Sequence, residues 1–195
     1  PQNNIYTLDV SNNTELIYLG CWSNNLTSLN VSACTSLEYL VCSGNNLTSL
    51  NVSSCTALTE LYCNNNNLTT LDVTSCANLI YLKYYGNKFS TAGYDSLMCL
   101  LPNRNSGDNA RFYPLYDAND ANSAIFLATN ASNAIAKNWQ VLYNNNDNPI
   151  TTNGNYDCSG VNMNRYIKLN VAKDSLININ LSAEVDNTSI RIMSG

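Results

Sequence analysis

Histidine is absent from the 195 residues. That removes Ser-His-Asp and Cys-His catalysis and the common zinc sites, each of which needs an imidazole. Charge is sparse: Asp, Glu, Lys and Arg make up 12% of the chain, and the net charge is −5. Such a balance is opposed to nucleic acid and to anionic membrane surfaces. No apolar run reaches the length of a membrane span, and there is no glycine-rich phosphate loop. No signal peptide is visible, yet the chain starts at Pro1 rather than Met, which fits an export signal already removed. Length alone allows one or two domains. With these absences, neither catalysis nor a cofactor is expected.

What the chain has in quantity is one text written several times. Leu16, Leu37, Leu58 and Leu79 open successive copies 21 residues apart. Leu19, Leu40, Leu61 and Leu82 follow, then Asn24, Asn45, Asn66 and Asn87, then Leu26, Leu47, Leu68 and Phe89. A fixed period of this kind is the signature of a solenoid. Around Leu19 the apolar residues alternate, as a half-buried strand requires. One unit cannot bury its apolar edge alone, but stacked units share a core. Each recurrent Asn is placed to bond backbone groups at the turn after the strand, so a buried structural role is expected for it.

The pattern L-x-x-L-x-C-x-x-N-x-L resembles the leucine-rich repeat. The rest of the unit, L-T-S-L-N-V-S-x-C-T, is similar to the cysteine-containing, 21-residue repeats of internalin-type bacterial surface proteins. The resemblance implies a leucine-rich-repeat solenoid with a parallel β-sheet on its concave face and a largely irregular convex side. It also implies an extracellular or cell-surface location on a bacterium.

Eight cysteines would ordinarily suggest a disulfide framework. Here the repeat accounts for six of them. Cys21, Cys42 and Cys63 fall in an inward slot, and Cys34, Cys55 and Cys76 form a second file. Adjacent rungs lie ~4.8 Å apart, but parallel side chains make poor disulfide geometry. Files of packed thiols are therefore expected. Whether Cys99 and Cys158 pair is left open. The N-x-S/T triplets at Asn25, Asn46 and Asn67 recur because the repeat recurs, and turn chemistry explains them better than glycosylation.

Asn3 is the signature Asn of a still earlier copy whose strand is missing, so a piece of something longer is expected, or a first coil covered in an oligomer. After residue 90 the period changes. Residues 91–101 predict a helix carrying Tyr94, Leu97, Met98 and Leu101, ended by Pro102. Residues 111–117 predict a strand, 120–137 a second helix carrying Ile125, Ala128, Ala131 and Ile135, and 138–144 another strand. These resemble the longer αβ capping repeats that close such domains, and Tyr84 in the Cys slot of the last short repeat fits a widening cross-section. Residues 145–155 read as a linker. Beyond it, stretches around Ile167, Ile177 and Ile190 predict three strands of a small β module. The expected divisions are 1–90 for the leucine-rich repeats, 91–146 for the longer αβ capping repeats, and 147–195 for an incomplete β-strand module.

Few residues suggest chemistry. Asp117, Asn119 and Asp120 depart from the calcium-loop spacing, and a helix N-terminal turn explains them better. Glu38 and Glu60 read as a solvated face rather than a glycosidase pair. A surface remains. Residues flanking the inward Leu and Cys point to the concave face: Tyr18, Tyr39, Glu60 and Tyr81 in one file, Tyr62 and Lys83 in the next, Trp22 and Tyr85 in a third. Aromatics on a rigid sheet bury much area at little rotamer cost. The favoured function is a non-catalytic binding or adhesion module with a protein ligand on that face. A carbohydrate ligand and a purely structural spacer are the alternatives.

Overall fold

The computed structural model describes residues 4–150 and 152. Cys158 and the three strands expected beyond residue 155 lie outside the described residues. Four short strands, β1 (Tyr18–Gly20), β2 (Tyr39–Val41), β3 (Glu60–Tyr62) and β4 (Tyr81–Lys83), come one from each repeat. Then follow α1 (Thr91–Leu100), β5 (Arg111–Leu115), α2 (Ser123–Leu127), α3 (Ser132–Ile135) and β6 (Gln140–Tyr143). All six strands form one parallel sheet in the order β1 to β6. The chain is a leucine-rich-repeat solenoid.

The repeat period sets the register. Leu19, Leu40, Leu61 and Leu82 lie side by side and point into the core, continued by Phe112 and Val141. Each fully buried Leu contributes on the order of 1.5–3 kcal/mol relative to exposure, before entropy is subtracted.

The turn after each strand is built twice over. Ser23, Gly44, Asn65 and Gly86, again 21 apart, all have positive φ, between 54° and 68°. Left-handed backbone favours Gly and Asn, and Ser23 is the one residue of the four without that tolerance. The next residue is the signature Asn. Asn45 accepts from Leu26 N–H at 3.0 Å and donates to the carbonyls of Cys21 and Cys42, both at 3.0 Å. Asn66 and Asn87 repeat that pattern one and two rungs on. Each amide thus joins its own turn to the rung before it, which is the buried structural role expected from the sequence.

Cys21, Cys42 and Cys63, and Cys34, Cys55 and Cys76, are buried and free. The second file leans on the preceding rung: the thiols of Cys34, Cys55 and Cys76 approach the carbonyls of Val10, Val31 and Val52 at 3.7–3.8 Å. Burial pushes the Cys21 and Cys55 thiols up to about 11 and Cys76 to about 12, and Cys42 and Cys63 well above their ordinary value. Since the thiolate is the reactive form, the native protein at neutral pH should resist Ellman's reagent. In guanidinium without reductant, at least six thiols should then react. Rapid native labelling would show that the files are accessible. Cys99, by contrast, is disulfide-bonded; Cys158, whose pairing the sequence left open, falls outside the described residues.

Tyr84 fills the Cys slot in β4's repeat. It packs edge-on against Phe89 at 4.2 Å and Tyr94 at 5.7 Å, so α1 replaces the slimmer convex arc of the short rungs. Ser90 caps α1 by accepting from Gly93 N–H. The helix expected over 120–137 is instead two short helices. Between them, Thr129 Oγ1 donates to Phe126 O at 2.6 Å, and Asp95 Oδ1 accepts from Asn130 N–H at 2.9 Å. Polar side chains here compete with the helical ladder. The buried apolar residues are Phe126, Ala131 and Ala134, whereas Ile125 and Ile135 are exposed. The expected linker is also partly structured. Tyr143 N–H bonds Asn148 O and Ile150 N–H bonds Val141 O, both at 2.9 Å, laying residues 148–150 antiparallel along β6. Ile150 is buried there, which composition alone concealed.

Candidate functional site

The face of the sheet away from the core carries two aromatic groups. Each arises because parallel pairing at a fixed register aligns residues of successive rungs into files.

The first group lies on β1 and β2. Tyr18 and Trp22 are each 52% exposed, and the rings of Tyr18 and Tyr39 are 6.5 Å apart. Gly20, between Tyr18 and Trp22, makes the arrangement possible. A Cβ there would lie 2.5 Å from the Trp22 ring and 2.9 Å from that of Tyr18. The two rings therefore close over bare backbone, forming a continuous apolar patch.

The second group spans β3 to β5 and is polar. Tyr81 stacks obliquely on Tyr62 at 5.1 Å and on Tyr113 at 5.2 Å. Tyr62 Oη donates to Glu60 Oε2 at 2.7 Å. The Tyr81 and Tyr113 hydroxyls and the Arg111 guanidinium continue the row as electrostatic neighbours, and Arg111 forms an ion pair with Asp147 at 3.5 Å. Over this row lies Lys83. Its Nζ is 5.6 Å from the ring centroids of Tyr62 and Tyr81 and 5.4 Å from that of Tyr113, within cation–π range. Burial pushes the Tyr62 and Tyr81 phenols well above their ordinary range, reinforced by the Glu60 carboxylate beside Tyr62 and the Tyr113 hydroxyl beside Tyr81. Burial also lowers Lys83, opposed by the charge of Asp147.

The predicted residues therefore divide. Tyr18, Trp22 and Tyr39 come together, and Glu60, Tyr62, Tyr81 and Lys83 come together. Tyr85 belongs to neither: it packs edge-on with Tyr116 at 5.5 Å, and its hydroxyl accepts from Asn144. The sequence reading missed Arg111, Tyr113 and Asp147. Arg111 continues the Tyr81 file but lies 30 residues after it, so extrapolating the 21-residue period passes it by. The alternation of R-F-Y in 111–113 was the available signal. Asp117 and Asp120 spend their carboxylates on N–H groups of their own loop. Among the described residues, no group of three His, Cys, Asp or Glu side chains could hold a metal.

No family model matches the chain, and no curated protein matches it. Among solved structures, the functional domain of InlJ from Listeria monocytogenes, described as including a cysteine ladder, is similar at 29% identity. That overlap covers 80% of this chain and 35% of the InlJ domain's own chain, with a TM-score of 0.42. A leucine-rich-repeat protein of Leptospira interrogans is similar at 27% identity over 45% of this chain and 24% of its own, with a TM-score of 0.42. The Listeria internalin InlF shares 21% identity over 71% of this chain and 38% of its own, with a TM-score of 0.43. The chain thus spans well under half the length of each. The solenoid assignment rests on the repeat and its sheet rather than on these overlays.

Proposed function

We propose that this chain is a non-catalytic binding or adhesion module of a bacterial surface or secreted protein, with a protein ligand held on the open face of its sheet. The observation that carries this reading is the aromatic patch of Tyr18, on β1, and Trp22, just beyond it, both exposed and closed over Gly20, with half-buried Tyr39 of β2 beside Tyr18. Large exposed aromatics on a rigid support are the chemistry of interface hot spots, and a preformed sheet presents them at little ordering cost. The surface or secreted setting follows the repeat's resemblance to internalin-type proteins. Among the described residues, no helix is long and apolar enough to cross a membrane.

A Tyr18→Ala, Trp22→Ala double variant should keep its circular dichroism spectrum, because both side chains are half in solvent. In capture from cell-surface or matrix extracts, it should bind its partner at least thirtyfold more weakly, the equivalent of about 2 kcal/mol. Unchanged capture by a folded variant would remove this patch from the site. Retained binding on a glycan array, lost in the same variant, would redirect the site to a carbohydrate.

A further inference from the structure

Among the described residues, Lys83 is the member of the polar group whose ammonium has no ion pair or hydrogen bond, the charge of Asp147 acting on it only from beyond ion-pair distance. An ammonium carries three donors and accepts nothing. Among the described residues its Nζ makes no ion pair, and its neighbours are the faces of three tyrosine rings. Neither carboxylate nearby comes within ion-pair distance of it among the described residues. Glu60 receives the Tyr62 hydroxyl, and Asp147 holds Arg111. The side chain is half-buried, so water serves it only in part, as the burial-driven lowering of its pKa also indicates. A half-desolvated cation in an aromatic frame is stabilised further by an anion, through a charge-assisted hydrogen bond.

We propose that Lys83, framed by Tyr62, Tyr81 and Tyr113, is the seat for a carboxylate side chain, Asp or Glu, of the protein partner. The inference rests on the open-face reading above and names the chemistry recognised there. A protein carboxylate fits better than an acidic sugar. The Tyr62 hydroxyl is already spent on Glu60 and the frame is otherwise made of ring faces, so it has little to offer a ring of sugar hydroxyls. An Asp or Glu brings one anion on an apolar stem, which the rings can cover. A polyanion such as nucleic acid is disfavoured by the net charge of −5.

The probe is a single capped glutamate, acetyl-glutamate N-methylamide, titrated into the full chain at constant ionic strength. NMR follows the Lys83 side chain and the tyrosine rings, with exposed Lys88 as internal control. Saturable shifts at Lys83, Tyr62 and Tyr81, with only a linear drift at Lys88, are expected. The capped glutamine analogue should produce none. Lys83→Gln should weaken the response about tenfold or more, and Lys83→Arg should keep most of it. Equal linear responses at Lys83 and Lys88, or an equal response to the glutamine analogue, would overturn the seat. A tighter response to glucuronate would overturn its assignment to protein. If the Tyr18, Trp22 variant loses capture while Lys83 ignores glutamate, the seat is wrong and the open-face reading stands. If capture survives both that variant and Lys83→Gln, the open-face reading falls and the seat with it.

Discussion

Asn66→Ala is expected to cost about 3 kcal/mol of stability. The side chain is buried and serves four backbone groups of two rungs: it accepts from Leu47 N–H at 3.0 Å and donates to Cys42 O at 3.0 Å, Cys63 O at 3.2 Å and, at 3.4 Å, Asn64 O. The losses are unequal. Cys42 O keeps a bond from Asn45, and Cys63 O keeps one from Asn87. Only the Leu47 N–H loses its side-chain acceptor, at a cost of roughly 1–3 kcal/mol, with about 0.5–1.5 kcal/mol for each shared bond. Asn66→Asp should be worse than alanine, because a carboxylate would face two carbonyls with no proton to give. Asn24→Ala should cost under about 1 kcal/mol, since the group it accepts from, Ile5 N–H, lies at the exposed start of the solenoid. Urea denaturation of the three variants would check the order. Near-neutral Asn66→Ala would refute the stapling role.

The fold is expected to fail at alkaline pH, earlier than its tyrosines and lysines alone would require. Cys42 and Cys63 are fully buried, and burial raises both thiols far above the ordinary value of 9.0. Their folded values exceed their unfolded ones, so their contribution is complete below about pH 9 and is lost as pH rises above it. Each thiol that ionises only on unfolding costs about 1.4 kcal/mol per pH unit in that range. The two together therefore remove up to about 3 kcal/mol per unit for as long as both stay protonated in the fold, a large share of the stability of many domains. Cys21, Cys55 and Cys76, raised to about 11–12, act in the same direction. Urea midpoints measured from pH 7 to 11 should fall steeply above 9. A Cys42→Ala, Cys63→Ala variant should start lower at pH 7 and decline less steeply. An equal slope in both proteins would rule out the thiols as the cause.

How far the sequence could be read follows from the same physics. Leu40, Asn45 and Cys42 recur at one spacing, so each copy reports the burial of the others. Strand register, the buried asparagines and the inward thiols were all legible. Reading broke down where the interval changed. The stretch 120–137 looked like one helix because its apolar residues have helical spacing, but Thr129 and Asn130 draw backbone partners away from the ladder. Residues 148–150 looked like linker because they are polar around Pro149, yet Ile150 closes the edge of β6.

By itself, then, the sequence determined the rung: its length, its core file, its turn and the side of the sheet that stays open, because each is set by local periodicity and burial. Only the tertiary structure decided which open-face residues meet. Tyr18 and Trp22 join because Gly20 leaves space between them, and Lys83 finds its third ring because β5 pairs with β4 and brings Tyr113 beside it after a longer excursion of the chain. Lateral packing across rungs depends on side-chain shape and connection length, and no period encodes either.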